Sequence, residues 1–373
     1  MSVALALALF SLQQAVPEQR LAAPLATLPH DFSMIRGLRE LADGRVLVTD
    51  RLEEQLYVAD LGRGTVRPIG RKGGGPQEYR LPASLLALTG DSTLLIDEGN
   101  GRLAIIGPDL RIARSITSQR EGLGFGLYPR TVDARGRLYV EIPAWAQRGP
   151  PSDSSIVARF DPATERLDTL GRVRGPTWLT GPSMKPRIPY LIYAPQDVWT
   201  ADAGGRVAFV RAAGYIVEWK GADGRVVRGP RTPARAMPVT ERDRRAYVRN
   251  FLVGSSVGGK GTDGSVASPI PASMTTDAEV NEMAGRQPFA EVRPPFTDAT
   301  PRIGPDGALW VERSVAIGAP RIYDRFDAAG VRRSAVVFPA GRRLAGFGRG
   351  SLYAVATDED GIDTLERYAV PRM

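Results

Sequence analysis

Short apolar runs recur along the chain, each opened by a Gly- or Asp-bearing turn and closed by a charged residue. They read DGRVLVTD at 43–50, GDSTLLIDE at 90–98, ARGRLYVE at 134–141, AGGRVAFVR at 203–211, PDGALWVER at 305–313 and, more loosely, GRGSLYAVATD at 348–358. Runs this short, rich in β-branched residues and bounded by turn residues, read as strands rather than helices. Each has further strand-like segments beside it. Around the first lie Ile35–Leu41, Gln55–Asp60 and Thr65–Ile69; around the second, Ser84–Leu88, Arg102–Ile106 and Ile112–Ile116. Comparable sets fall within 130–174, 196–231 and 301–338.

A small sheet repeated at this spacing cannot bury both its faces alone, so the pattern predicts a β-propeller. The last block, 343–370, supplies only three strands. The segment Leu21–Leu28, with Leu21, Ala23 and Leu25 alternating, is left over at the other end and is expected to complete it. Six blades closed by an N-terminal strand are therefore expected, with five blades and flanking hairpins as the alternative. Closure of this kind hides edge strands.

A long insertion, 232–298, separates the fourth and fifth blades. Thr240 with Asp243 marks a helix start ahead of Ala246, Tyr247, Phe251 and Leu252, and Thr276 with Glu279 forms a capping-box pattern for a second helix. The Gly/Ser-rich stretch 254–268 between them reads as a mobile link. Such an insertion is either a binding loop or a helical hairpin packed on one face.

Composition narrows the partners. The net charge of +8 is carried almost wholly by Arg, since Lys occurs only at 72, 185, 220 and 260. A basic balance favours anionic partners, while Arg alternating with Asp and Glu along strands reads as an ion-paired surface. No dense basic run with interleaved aromatics points to nucleic acid. There is no Cys, which rules out disulfides and thiolate metal sites. Mean hydropathy is negative, against a polytopic membrane chain.

The uncharged run Val3–Leu12 is too short to span a bilayer and suits the apolar centre of a secretory signal ending near Ala15. An exported, periplasmic or extracellular protein without a transmembrane segment in its mature form is then expected. An apolar N-terminal strand is the alternative.

RKGGGPQEYRLPASLLAL at 71–88 resembles the inter-blade signature of NHL repeats, with Tyr79 and Pro82 at the start of an inner strand. IDEGNGRLAIIGPD at 96–109, the segments within 289–330 and the ending 341–370 extend the likeness. Together they resemble exported bacterial six-bladed propellers. That resemblance implies a fold and a habit of binding; related propellers include lactonases, lyases, sensors and protein-binding platforms, so fold does not carry function. Lactonases of this kind hold calcium with Asn, Asp and Glu. Here Asn occurs only at 100, 250 and 281, so calcium is not indicated, although an all-carboxylate site stays open.

Strand-end acids Asp50, Asp97, Glu98, Glu141 and Glu312 are expected along one rim of the channel, either pairing with Arg of adjacent blades or serving a lactonase- or lyase-like reaction. His30 is the only histidine and reads as structural. The Gly-rich 71–76 lacks phosphate-loop spacing and reads as a connector. No catalytic residue and no cofactor are assigned. Pro129-Arg130, Pro195-Gln196 and Pro301-Arg302 each open an inner strand. In register, Arg130, Arg302 and Gln196 would line one channel mouth and suit a carboxylate or sulfated sugar. Trp145, Trp178 and Trp199 serve either sugar stacking or blade packing. The expected role is recognition of an anionic small molecule, a polysaccharide or a partner protein.

Overall fold

The computed structural model describes residues 16–120, 123–147, 153–178, 190–255 and 276–373. Within them six sheets of four or five strands follow one another along the chain, with three two-stranded ribbons between them. Each blade is an antiparallel meander. The first runs Ile35–Glu40, Val46–Asp50, Gln55–Asp60, Thr65–Ile69 in spatial order, and the second Pro82–Ala87, Thr93–Asp97, Arg102–Ile106, Ile112–Thr117. The protein is a six-bladed β-propeller.

The recurring Asp/Gly phrase is turn chemistry. Asp133 accepts the Arg137 backbone N–H at 3.0 Å and the Arg137 guanidinium at 2.7 Å, across a turn whose Gly136 has φ +77°. Asp202, Gly205 (φ +86°) and Arg206 repeat the arrangement at 2.8 and 2.7 Å. Only Gly adopts that conformation without strain, and the carboxylate satisfies N–H groups the strands leave free.

The ring is closed by the N-terminus, with a shift from the expected segment. Ala26–Phe32, not Leu21–Leu28, is the fourth strand of blade six, antiparallel to Asp363–Ala369. Ahead of it, Glu18–Arg20 adds a parallel fifth strand to blade five by pairing with Ala335–Val337. Leu21 consequently packs with Trp310, Val336 and Phe338, while Leu25 is 63% exposed. The inward positions are Leu28 and Phe32, both fully buried among Val46, Val48 and Ala59 of blade one and Tyr353, Val355 and Leu365 of blade six. An irregularity in register between Thr27 and Asp31 breaks the simple alternation that favoured the earlier segment. His30 therefore lies within the closing strand, edge-on to Phe32 at 4.6 Å and tilted to Tyr57 at 5.6 Å.

Between blades four and five, α1 (Glu241–Ser255) and α2 (Asp277–Arg286) stand where the insertion was expected. Thr276 and Glu279 form the expected capping box. Thr240 and Asp243 exchange bonds at the start of α1, at 2.8 and 3.3 Å. Val248, Leu252, Val280 and Ala284 make the small core between the helices. The signal-like segment 1–15 and most of the expected mobile link, 256–268, lie outside the described residues. No helix among the described residues is long and apolar enough to cross a membrane.

Phe32→Ala should lower unfolding stability by about 3–5 kcal/mol in urea denaturation, because it empties a site shared by the first and last blades. Leu25→Ala should stay within about 0.5 kcal/mol of the parent. Equal effects would mean that the closing strand is in the other register.

Candidate functional site

The ends of the second strands share one face of the propeller with the starts of the inner strands, and the acids expected there are engaged in structure. Asp50, fully buried, accepts backbone N–H groups of Ser33 (2.6 Å), Leu52 (3.0 Å) and Glu53 (3.1 Å). Burial, only partly offset by those N–H groups, holds its carboxyl above the ordinary carboxylate value. Asp97, also fully buried, takes the Arg80 N–H at 2.8 Å, the Asn100 amide at 2.8 Å and the Arg102 guanidinium at 2.7 Å. Glu98 pairs with Arg51 of blade one at 2.5 Å. Glu141 accepts from the Trp199 indole at 2.8 Å and pairs with Arg130 at 2.6 Å. Glu312 pairs with Arg321 and accepts the Tyr323 hydroxyl at 3.1 Å. These bonds seam strands and neighbouring blades. Among the described residues no three of Asp, Glu or His converge to hold a metal ion.

Arg130, Gln196 and Arg302 are placed differently from one another. The Arg130 guanidinium is taken by Glu141 and lies over the fully buried Trp199 ring, 5.1 Å from its centroid. Arg302 lines an axial cavity of about 750 Å³ where inner-strand residues of all six blades meet, among them Glu40, Ala87, Val132, Ala201, Ile303 and Phe347. Gln196 lines a separate pocket of about 340 Å³, built where the insertion meets blades four and five. The three do not share one cavity.

That smaller pocket combines aromatic rings with polar side chains. Its aromatic wall comprises Tyr190 and Tyr193 before blade four, Tyr247 on α1 and Phe296 before blade five. Tyr193 and Tyr247 stand edge to face at 5.4 Å, and the Tyr190 and Tyr247 hydroxyls are 3.2 Å apart. Tyr193 adopts φ +60°, a costly conformation for a large residue, and the Arg293 guanidinium covers its ring at 4.6 Å. Burial foremost, then the bond to Tyr190, raises the Tyr247 hydroxyl far above its ordinary value, so it remains a neutral phenol. Burial also raises the Tyr193 hydroxyl above its ordinary value, against the opposing charge of Arg293.

Three polar side chains at this wall, the half-buried Gln196 and the exposed Asn250 and Asp298, have no protein partner among the described residues and stay free to bond a ligand. The neighbouring charges, by contrast, are paired: Glu312 with Arg321, and Arg293 with Asp243 at 2.5 Å, both members of the latter pair almost fully buried. Trp178, 40% exposed, packs edge-on to Tyr190 at 6.0 Å, and Trp145 is 64% exposed.

Sequence reasoning reached Gln196 and Glu312 but not Tyr190, Tyr193, Asn250 or Asp298. The helical pattern from Thr240 marks Tyr247 only as part of an amphipathic face. Its facing Tyr193 is set by how α1 folds back, which no local pattern encodes.

No protein-family model matches this chain, and no curated protein matches it. Solved structures do resemble it. A Bacteroides fragilis protein described as exported is 13% identical, with 95% of this chain and 99% of that chain covered and a TM-score of 0.49. A gluconolactonase from Xanthomonas campestris is 11% identical, with 95% and 96% covered and a TM-score of 0.45. Virginiamycin B lyase from Staphylococcus aureus is 11% identical, with 93% and 99% covered and a TM-score of 0.43. At these scores none of them bears on what this chain binds.

The Asp243–Arg293 pair anchors the start of α1 to the segment before blade five. Burial alone would raise the Asp243 carboxyl, but the Thr240 donors and Arg293 outweigh it and hold it below its ordinary value of 3.8. A depressed folded value means the contribution is complete above the ordinary value and lost as pH falls through the folded one. Stability should therefore drop more steeply in acid for the parent than for Asp243→Asn, compared by urea denaturation at about pH 3 and 6. Parallel acid losses would show that the pair is not the titrating element.

Proposed function

We propose that this propeller recognises a saccharide in the aromatic pocket formed by Tyr190, Tyr193, Tyr247 and Phe296. The observation that carries this reading is the set of unpartnered side chains Gln196, Asn250 and Asp298 beside those rings. Sugars present hydroxyl groups around apolar C–H faces. Planar amides and a carboxylate bind the hydroxyls, and aromatic rings stack on the C–H faces. The free ionisable group here is an acid, which favours a neutral sugar over an anionic one at this pocket. An anionic ligand would be served instead by Arg302 in the axial cavity.

Recognition is favoured over a metal-assisted lactonase- or lyase-like reaction because the rim carboxylates are bonded to backbone N–H groups, Arg and Trp. The apolar run Val3–Leu12 supports an exported location, where polysaccharide would be met.

Calorimetric titration against a panel of neutral and acidic mono- and oligosaccharides tests the reading. At least one should bind saturably; Asp298→Ala should weaken it about tenfold or more, as loss of a hydrogen bond to a charged group does, and Asn250→Ala should weaken it by less. A panel without saturable binding, or variants that bind like the parent, would sink it. A rise in melting temperature with calcium, reversed by a chelator, would instead support the metal-dependent reading.

A further inference from the structure

A larger cavity, of about 1110 Å³, lies outside the aromatic pocket and shares Pro294 and Ser314 with it. Asp243 lines this cavity and Arg293 lines the pocket, so their buried pair stands in the wall between the two. The cavity's volume lies just above the ~300–1,000 Å³ typical of small-molecule sites. One side is the connector after blade four, ARAMP at 234–238, and another is formed by Pro294, Pro295, Val315 and Ile317. Proline fixes φ, so these walls lose little freedom when an apolar body fills them.

The charged groups around the cavity have an uneven balance. Asp324, fully buried, is shared by the Tyr215 hydroxyl at 2.7 Å and Arg313 at 2.5 Å. Glu18 is likewise taken by Arg313, at 2.7 Å, and Asp243 by Arg293. The acids are thus satisfied, whereas the guanidiniums of Arg235, Arg242 and Arg332 are not. Arg332 reaches Asp324 only at 3.5 Å, and its buried Nε has no partner. Arg235 and Arg242, exposed and also lining the cavity, form no ion pair among the described residues. A guanidinium with spare donors is a carboxylate receptor, since its planar fork matches two oxygens.

We propose that this cavity binds an amphipathic organic carboxylate, its apolar body against the Pro/Val/Ile walls and its head group on the unpaired guanidinium of Arg242. The site is separate from the saccharide reading and stands or falls without it.

Calorimetry with octanoate and octanol provides the test. Octanoate should bind saturably, octanol about tenfold or more weakly. Arg242→Gln, an exposed change that leaves the fold intact, should remove most of that difference. Ile317→Asp should abolish octanoate binding while Arg349→Gln, on the axial cavity, leaves it unchanged. Equal affinity for octanoate and octanol, octanoate binding that survives Ile317→Asp, or no saturable binding at all would each overturn the proposal.

Discussion

The pairing of Ala26–Phe32 with Asp363–Ala369 is the contact on which the molecule rests, because it joins the two ends of the chain inside one sheet. A blade buries its faces only against its neighbours, so a ring left open would expose two of them to water. Leu28 and Phe32 fill the space between the sixth and first blades. Around them polar bonds hold the same junction. Asp363 accepts the Ile35 N–H at 2.9 Å, Arg343 donates to the Ile35 carbonyl at 2.8 Å, and Tyr353 donates to Glu40 at 2.6 Å.

The abundance of Arg over Lys acquires a structural reason in this setting. Arg39 bridges blades one and two by donating to the Asp91 carboxylate at 2.7 Å and the Asp91 carbonyl at 3.0 Å. Arg102 joins Asp97 to the Gly75 and Glu78 carbonyls, Arg211 joins Asp197 to the Arg172 carbonyl, and Arg325 joins Asp306 to the Arg372 carbonyl. A guanidinium can serve a carboxylate and a carbonyl at once, which a compact ammonium on a flexible stem does less well. The second and third blades, in contrast, meet through an apolar cluster that includes Leu94, Ile96, Val140 and Phe160. The rim acids are thus part of the seam that keeps the ring rigid.

The segment between blades four and five converts that rigid ring into one with chemically distinct recesses. α1 brings Tyr247 and Asn250 against Tyr190, Tyr193 and Gln196, and the returning chain places Phe296 and Asp298 beside them. The same segment, with Val16–Glu18, encloses the larger apolar recess. Binding groups carried on inserted segments and held by an over-determined scaffold are a common division of labour, since the scaffold tolerates change in what it carries.

Strand positions, turns, the propeller architecture and the inserted helices were legible in the amino-acid sequence because their causes are local. Alternation, Asp–Gly turns and a Thr/Glu capping box act within a few residues. Ring closure was legible in kind, but the register irregularity near Pro29 moved it from Leu21–Leu28 to Ala26–Phe32. Which strand-end charges would be spent and which left free was not legible. Arg130 with Glu141, Asp50 with the Ser33 N–H and Asp298 with no partner are outcomes of how separate segments meet. The sequence determined the ring by short-range chemistry; only the tertiary structure decided where that ring keeps unsatisfied polar groups, because partners distant along the chain compete for each one.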